Sequence, residues 1–186
     1  MDIENCISET KKEDTIWYAM YAYKREMYAK SELDKKSIKN FIPMRYEIRE
    51  RNGKKERKLV PAVSNLIFVY ATQLVMTEFK AQNPYLQYIT QKVGSRRQII
   101  IVPQLQMQEF IKIAEKYEEN ISYYKPEEIN LAKGTKVRVH GGAFDGVIGT
   151  LLKVKGKRSK RIVVSIPGVT TIAAAYIQPE LIEIIP

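Results

Sequence analysis

The fold of the C-terminal part of the chain is decided by the stretch Gly134-Thr-Lys-Val-Arg-Val-His-Gly-Gly-Ala-Phe-Asp-Gly-Val-Ile-Gly149. Val137 and Val139 alternate with polar residues, as in a half-buried strand. The pair Gly141-Gly142 permits a tight turn, which leaves Phe144 at the tip of the loop. Two further glycines let the chain enter the next strand through a sharp bend, because they carry no Cβ atom that would clash. The stretch therefore predicts a tightly turned β-hairpin.

Short runs rich in valine and isoleucine surround this turn, and turn residues separate them. We predict strands at 136–140, 147–154, 161–166, 170–176 and 180–185. About five short strands in about 50 residues are typical of a small closed barrel, because closure removes exposed strand edges. Glycines and β-branched residues disfavour a helical hairpin here, so we expect β structure in the free protein.

The N-terminal part alternates between apolar runs of strand type and stretches of helix formers. Strands are predicted at 15–22, 41–49, 55–60, 65–71, 86–93 and 99–102, and helices at 24–40, at 72–81 and from Pro103 onward. Asn52-Gly53 predicts a tight hairpin, because both central residues of a type I′ turn need positive φ. The last helix has an apolar face formed by Met107, Phe110, Ile111, Ala114 and Tyr117. This order of elements predicts an α+β sandwich.

Composition limits the class of protein. The chain has 186 residues, of which 45% are hydrophobic and 28% charged, as in globular proteins. It has no run of about 18 apolar residues and no basic-then-apolar leader, so we expect no membrane span and no export. The single cysteine, Cys6, excludes an intrachain disulfide and fits a reducing cytoplasm. The net charge is +10, with +6 from residue 133 onward, which favours nucleic acid or acidic partners.

Residues for catalysis or for a metal site are scarce. His140 is the only histidine and Cys6 the only cysteine, so the chain cannot assemble a zinc site or a nucleophile–base pair. The glycine-rich turn also lacks the Gly-Lys-Ser/Thr ending of a phosphate-binding loop. We therefore predict a two-domain binding protein that is not an enzyme and uses no cofactor and no metal.

Both halves resemble known modules. The stretch 134–149 resembles the KOW motif of small barrels in transcription factors and ribosomal proteins. The N-terminal half resembles the NGN domain of NusG-like transcription factors in Trp17-Tyr18, in Asn52-Gly53, in Val63-Ser-Asn-Leu-Ile-Phe-Val69 and in Val102-Pro103. The resemblance implies an NGN domain at 15–118 with an antiparallel sheet and flanking helices, a linker at 119–132, and an SH3-like KOW barrel at 133–186.

The resemblance implies a cytoplasmic elongation or antitermination factor that suppresses pausing or termination of transcription. In this family the NGN domain binds the clamp helices of RNA polymerase through a hydrophobic depression. The family usually has Phe-Pro-Gly-Tyr where this chain has Val63-Ser64-Asn65-Leu66. That form is similar to the UpxY-like subgroup, which is linked to capsular polysaccharide operons. The implied polymerase contacts are Tyr18, Val63, Leu66 and Phe68.

Further contacts are implied on other surfaces. Specialised members of the family touch the non-template DNA strand, and the implied contacts are Lys24, Arg25, Lys30, Arg96 and Arg97. Tyr23 and Tyr28 lie beside them in the sequence and are suited to stacking on bases. The barrel of the family recruits a small-subunit ribosomal protein or the Rho factor. The implied contacts there are Phe144, Lys157 and Arg158, the last two within a basic run at 153–161. We expect a monomer.

Other interpretations stay open. A ribosome-associated RNA-binding protein also carries a KOW barrel, and it would bind RNA through the barrel without polymerase. A nucleic-acid-processing enzyme is disfavoured by the inventory of residues. The basic helix and the basic run are equally compatible with ordinary solvated surfaces.

Overall fold

The structure is a computed structural model that describes residues 14–51, 53–116, 121–154, 156, 158–174 and 177–186. The elements of the N-terminal part are β1 (Ile16–Tyr21), α1 (Glu26–Lys35), β2 (Lys39–Phe41), β3 (Met44–Arg51), β4 (Lys54–Pro61), β5 (Leu66–Ala71), α2 (Gln73–Gln82), β6 (Gln87–Tyr88), β7 (Thr90–Val93), β8 (Arg96–Ile99), β9 (Ile101–Val102) and α3 (Gln104–Ala114). The strands of the C-terminal part are β10 (Ser122–Tyr124), β11 (Thr135–Val139), β12 (Ile148–Lys153), β13 (Lys160–Ile166), β14 (Thr170–Ala173) and β15 (Ile182–Ile184).

The N-terminal sheet is antiparallel with the order β2-β5-β1-β6, and β9 pairs with β1 on the same edge as β6. Strand β1 pairs with β5 along its whole length, which places Tyr18 opposite Val69 and Ala19 opposite Phe68. Because side chains alternate along a strand, Tyr18 and Val69 point to one face of the sheet, and Ala19 and Phe68 point to the other.

Helices cover both faces of this sheet, as the α+β prediction requires. Helices α1 and α2 pack Leu33 and Phe79 into the core on the Tyr18 face. Helix α3 covers the Phe68 face and buries Met107, Phe110, Ile113 and Ala114. The predicted apolar face of α3 is thus confirmed in its main residues. Ile111 is only half-buried, and Ile113, which was not predicted, is buried. Tyr117 lies outside the described residues.

Local chemistry explains where the helices begin and end. Helix α2 begins after Thr72, whose Oγ1 accepts a hydrogen bond from the Val75 amide at 3.3 Å. It ends at Asn83, whose side chain donates to the Phe79 carbonyl at 3.0 Å. Helix α1 is shorter than the predicted 24–40. Ser37 has a φ of 55°, which a right-handed helix does not allow, and the chain then pairs with β5 as β2.

The C-terminal part is a six-stranded antiparallel sheet with the order β10-β14-β13-β12-β11-β15. The five strands predicted here are present, and β structure is confirmed over a helical hairpin. Positions 175 and 176 of the predicted strand 170–176 lie outside the described residues. Gly141 and Gly142 have φ values of 81° and 71°, which explains why glycine occupies this turn. The chain thus has an α+β domain followed by a β-rich C-terminal domain.

The segment predicted as a linker, 119–132, differs from that prediction. Strand β10 pairs with β14 and places Tyr123 opposite Ile172, and 3-10 turns follow at Pro126–Glu128 and Leu131–Lys133. Ile121 and Tyr123 pack against the core, so apolar burial ties this segment to the C-terminal sheet. The absence of a clear period in the sequence had concealed a strand of only three residues.

Helix α3 also packs against the C-terminal domain. The Gln106 side chain donates to the Ser165 carbonyl at 2.6 Å, and the Glu109 carboxylate accepts from the Ile148 amide at 2.7 Å. The Lys112 ammonium donates to the Gly146 carbonyl at 3.3 Å. Buried side chains of α3, β13 and β14 form one continuous apolar cluster. Helix α3 therefore packs against both the N-terminal sheet and the C-terminal domain.

Candidate functional site

The four predicted polymerase contacts do not form one surface. Tyr18 is buried on the α1 and α2 face, where its ring lies 5.4 Å from that of Tyr88. Leu66 and Phe68 are buried on the opposite face beneath α3. A contact surface that unites these three side chains is contradicted, because the pleat of the sheet sends Tyr18 away from the other two and α3 covers the rest.

Val63 packs against the edge of this core, at the boundary between the domains. Val63 and Ser64 line a small cavity of about 330 Å³ together with Tyr123, Lys125 and Val169 from the C-terminal domain. Val63 is half-buried and Ser64 is exposed. Of the predicted contacts, Val63 is thus the one that a partner reaches without unfolding the N-terminal core, although the C-terminal domain lies beside it.

Tyr123 contributes a buried hydroxyl to this boundary. Its oxygen has no hydrogen-bond partner within the described part of the chain, and burial raises the pKa of the phenol above its ordinary value. Because the folded protein disfavours the ionised phenol, the contribution of Tyr123 to the free energy of unfolding is constant below the unfolded pKa near 10 and falls as the pH rises from there toward the higher pKa of the folded state.

The Tyr123→Phe variant is therefore expected to be at least as stable as the wild type at pH 7 and to lose less stability between pH 9 and pH 11. Removal of an unpaired buried hydroxyl stabilises by about 1 kcal/mol. Urea unfolding at several pH values measures both effects. Tyr21→Phe is the matched control, because Tyr21 is exposed. An alkaline loss of stability equal to that of the wild type would refute the role of this hydroxyl.

An apolar depression opens on the α3 face of the sheet. Trp17, Phe41 and Ile111 line it, and Lys39 and Lys112 stand at its rim. Its volume is about 370 Å³. The described residues that line it all belong to the N-terminal domain, so the C-terminal domain leaves it open.

Aromatic packing forms the floor of this depression. Phe110 lies edge-on to Phe68 at 5.6 Å and to Phe41 at 6.5 Å between ring centroids. The Trp17 ring nitrogen donates to the Gln104 side chain at 3.0 Å, which ties β1 to the first turn of α3. Sequence reasoning missed this depression as a site. The signal was present, since Ile111 belongs to the predicted helix face and Phe41 pairs with Phe68 in register.

The predicted nucleic-acid contacts fall into three separate places. Lys24 and Arg25 lie together, and the Arg25 guanidinium stacks over the Tyr85 ring at 5.3 Å. Lys30 faces another side of α1, where its ammonium pairs with the Asp34 carboxylate at 3.0 Å. Arg96 and Arg97 are exposed on the β7–β8 hairpin. The structure thus does not bring these five basic residues together.

Lys30 is held by a small polar network. Asn40 donates to the Asp34 carboxylate at 2.7 Å, and Lys30 approaches both Asp34 and Asn40. The hydrogen bond from Asn40, and next that from Lys30, lower the pKa of Asp34 below its ordinary value. The carboxylate therefore stays charged, and it neutralises much of the field of Lys30. We interpret Lys30 as a stabilising group of α1 more than as a phosphate contact.

The hairpin ribbon of β3 and β4 agrees with the strands predicted at 41–49 and 55–60, but its basic surface was not predicted. Among the described strands, β3 and β4 pair with each other alone, from Met44 opposite Pro61 to Arg51 opposite Lys54. Six basic residues of this ribbon are exposed among those that the structure describes: Arg45, Arg49, Lys54, Lys55, Arg57 and Lys58. Three glutamates accompany them, at Glu47, Glu50 and Glu56. The ribbon is therefore a positively charged arm, and the charge count of 44–61 in the sequence was the signal that indicated it.

In the C-terminal domain the expectation of an exposed Phe144 is wrong. The 3-10 turn Gly142–Phe144 folds the ring back into the core, and its side chain is only 6% exposed. Arg158 is exposed as predicted, whereas Lys157 lies outside the described residues. Arg161 of the same basic run is buried and donates to the Ala174 carbonyl at 3.1 Å. The basic run is thus smaller on the surface than in the sequence.

His140 is an exposed residue of a surface pair. Its Nε2 lies 2.8 Å from the Glu183 carboxylate. Among the residues that the structure describes, no three His, Cys, Asp or Glu side chains come together to hold a metal. In the same part of the chain, none of the helices has the length and apolar character needed to cross a bilayer.

Comparison with known proteins identifies the N-terminal architecture. The family described as "Transcription termination factor nusG" matches residues 15–111, just over half of the 186-residue chain. A comparison with curated proteins found no match. The matched residues include the antiparallel sheet, α1, α2, most of α3 and the residues of the depression up to Ile111. This chain belongs to the NusG family of transcription factors.

Proposed function

We propose that this protein is an elongation and antitermination factor that binds the clamp helices of RNA polymerase and suppresses pausing or termination. One observation carries the proposal beyond family membership. The depression of Trp17, Phe41 and Ile111 is apolar at its floor, charged at its rim and open to solvent. A helical tip that presents apolar side chains fits such a depression, because burial of apolar surface supplies affinity and rim charges set orientation.

The depression replaces the contact set that the sequence alone predicted. Phe68 supports it from below, because Phe68 packs on Phe110 and pairs with Phe41. Leu66 is buried in the same cluster. Tyr18 has no part in it, since its side chain lies on the other face of the sheet. Val63 is a second, adjacent contact, but the C-terminal domain lies beside it and restricts the space for the partner.

The Ile111→Glu variant is expected to retain its fold and to bind RNA polymerase at least tenfold more weakly than the wild type, because an unpaired carboxylate then sits in the apolar contact. Leu105→Glu is the matched control. Leu105 lies on the same helix, is 77% exposed and lies outside the depression. Titration of each variant against purified polymerase, with circular dichroism to verify folding, measures the difference.

Two results would contradict this assignment of the contact. Equal binding by the Ile111→Glu variant and the wild type would remove the depression from the interface. A loss of binding in Val63→Asp without any loss in Ile111→Glu would move the contact to the boundary between the domains. Leu66→Asp is unsuitable for this experiment, because it buries a charge in the core and abolishes folding instead of one contact.

The nucleic-acid contact of the proposal lies at Lys24 and Arg25. Both are exposed, and Tyr23 and Tyr28 near them are 60% and 55% exposed. Cations beside exposed aromatic rings are suited to phosphates and to unstacked bases of a single strand, such as the non-template DNA strand. Arg96 and Arg97 and the β3–β4 ribbon supply further positive surface, so they add affinity that depends on salt and not on sequence.

The assignment to the UpxY-like subgroup, and with it to capsular polysaccharide operons, is supported by the form Ser64-Asn65-Leu66. Transcription by purified polymerase through a terminator tests the activity. Read-through is expected to rise with the wild type and to remain at the basal level with Ile111→Glu. Read-through that is unchanged by the wild type would remove the antitermination role.

The C-terminal domain is proposed to recruit a second partner, a small-subunit ribosomal protein or Rho. Arg158 is the exposed candidate contact that the structure describes. Phe144 supports the turn from inside the core and is reached by a partner only after a local rearrangement. The alternative of a ribosome-associated RNA-binding protein predicts RNA binding by this domain and no association with polymerase.

A further inference from the structure

Three residues in the left-handed region of the backbone meet beside the proposed nucleic-acid contact. Tyr23, Lys24 and Asn65 have φ values of 45°, 64° and 67°. Residues other than glycine adopt this conformation at a cost in energy, so neighbouring contacts must hold them there. Asparagine tolerates it best among the larger residues, because its short amide bonds to nearby backbone. Tyr23 and Lys24 have no such intrinsic preference for the left-handed region.

Asn65 holds this turn from the side, and the Arg25 amide closes the turn itself by donating to the Ala22 carbonyl at 2.9 Å. The Asn65 side-chain oxygen accepts a hydrogen bond from the Lys24 amide at 2.7 Å, and the Asn65 carbonyl accepts from the Ala22 amide at 2.8 Å. The Asn65 amide in turn donates to the carboxylate of Glu26. Glu26 is the first residue of α1 and is only 7% exposed. We name Asn65 and Glu26 together the clasp, because they join the turn before α1 to the segment before β5.

The clasp determines where the exposed aromatic and basic groups point. Tyr23 and Lys24 are the strained residues themselves, and the Tyr23 ring lies 6.2 Å from that of Tyr21. After the turn, Tyr28 lies 5.8 Å from the ring of Tyr85, over which Arg25 also stacks. Without the clasp, the turn keeps its closing backbone hydrogen bond from Arg25, but the left-handed backbone at Tyr23 and Lys24 loses support and their side chains are less well fixed in direction.

We propose that Asn65 and Glu26 are positioning residues for a single strand of nucleic acid, which they serve by fixing Tyr23 and Lys24 for contact with a base and a phosphate. This inference rests on the proposed nucleic-acid contact at Lys24 and Arg25. The clasp residues themselves do not touch the strand. They act by preorganising the turn, so the conformational entropy cost of ordering Tyr23 and Lys24 does not weaken binding.

The Asn65→Gly variant tests the clasp, because glycine adopts the same left-handed φ without strain and lacks only the side-chain acceptor. Binding of a fluorescent single-stranded DNA 12-mer to the full-length chain, measured by anisotropy, is expected to weaken by about threefold to tenfold, the loss that one hydrogen bond gives. Glu26→Gln retains an oxygen acceptor and is expected to bind at least as tightly as the wild type. Glu26→Ala is expected to behave like Asn65→Gly.

A matched control separates positioning from general loss of stability. The Asn130 side chain also accepts a backbone hydrogen bond, from the Ala132 amide at 3.1 Å, and lies in the C-terminal part. Asn130→Gly is expected to bind DNA like the wild type. The amide resonance of Lys24 in a 15N NMR spectrum is expected to shift or broaden in Asn65→Gly and to stay unchanged in Asn130→Gly.

The outcomes separate the clasp from the function on which it rests. Equal DNA binding by the wild type and Asn65→Gly overturns the clasp and leaves the nucleic-acid contact intact. Equal weakening by Asn65→Gly and Asn130→Gly also overturns it, because the effect would then be a general one. No binding of single-stranded DNA by the wild type removes the proposed contact and the positioning role together, whatever the NMR spectrum shows.

Discussion

Replacement of Phe110 by alanine is expected to lower the free energy of unfolding by about 3–5 kcal/mol, the range for loss of a fully buried phenyl ring. Phe110 is completely buried and joins the sheet to α3 through edge-on contacts with Phe68 and Phe41. Because α3 also packs on the C-terminal domain, both domains lose part of their shared support. Urea unfolding followed by circular dichroism measures the change.

Gln108→Ala is the control for this experiment. Gln108 lies on the same helix and is exposed, so its replacement is expected to change stability by less than about 0.5 kcal/mol. A loss below about 1 kcal/mol in Phe110→Ala would contradict the packing described between α3 and the sheet.

Replacement of Gly149 by valine is expected to destabilise the protein by about 2–3 kcal/mol. A Cβ atom at this position would lie 2.9 Å from the Val163 carbonyl oxygen and 3.2 Å from a Val164 methyl group. The nearest atom belongs to the backbone of the adjacent strand β13, so a side-chain rotation cannot relieve the clash. The loss in the free energy of unfolding is calculated from the midpoint and the slope of the urea unfolding curve.

Two comparisons make the Gly149 experiment specific. Gly149→Ala places only the Cβ atom and is expected to cost less than the valine variant. Thr135→Val introduces the same side chain at an exposed position of the neighbouring strand β11 and is expected to be nearly neutral. Stability of Gly149→Val equal to that of Thr135→Val would refute the close approach of β12 and β13 at this point.

Much of the fold followed from local patterns. The strand Leu66–Ala71 is continuously apolar because helices cover both of its faces, and the Thr72 to Asn83 signals bound α2 correctly. The valine alternation and the glycines of 134–149 predicted the C-terminal strands. The exceptions include the end of α1 and most of β8, which lies outside the predicted strands. They also include β2 and β10, since three residues carry too little periodicity to be recognised and form only through pairing with a longer strand.

The candidate site was less accessible to prediction. Which face of the sheet a residue occupies depends on register and on the helix that covers it, so Tyr18 and Phe68 were grouped although they are separated by the sheet. Phe144 was expected at the surface because a loop tip is usually exposed, but a 3-10 turn reverses its direction. The clasp joins residues 39 positions apart, Glu26 and Asn65, and only tertiary structure brings them together.

The contact between α3 and the C-terminal domain is intramolecular, because a short connection joins α3 to strand β10 of that domain. Seven residues, 115–121, connect the end of α3 to β10, and even a fully extended chain of this length spans only about 25 Å. A domain released from α3 thus remains tethered at an effective concentration near the millimolar range. A partner that the C-terminal domain is proposed to recruit through the surface packed on α3 would have to compete with this intramolecular contact, and dilution of the protein would not weaken the contact.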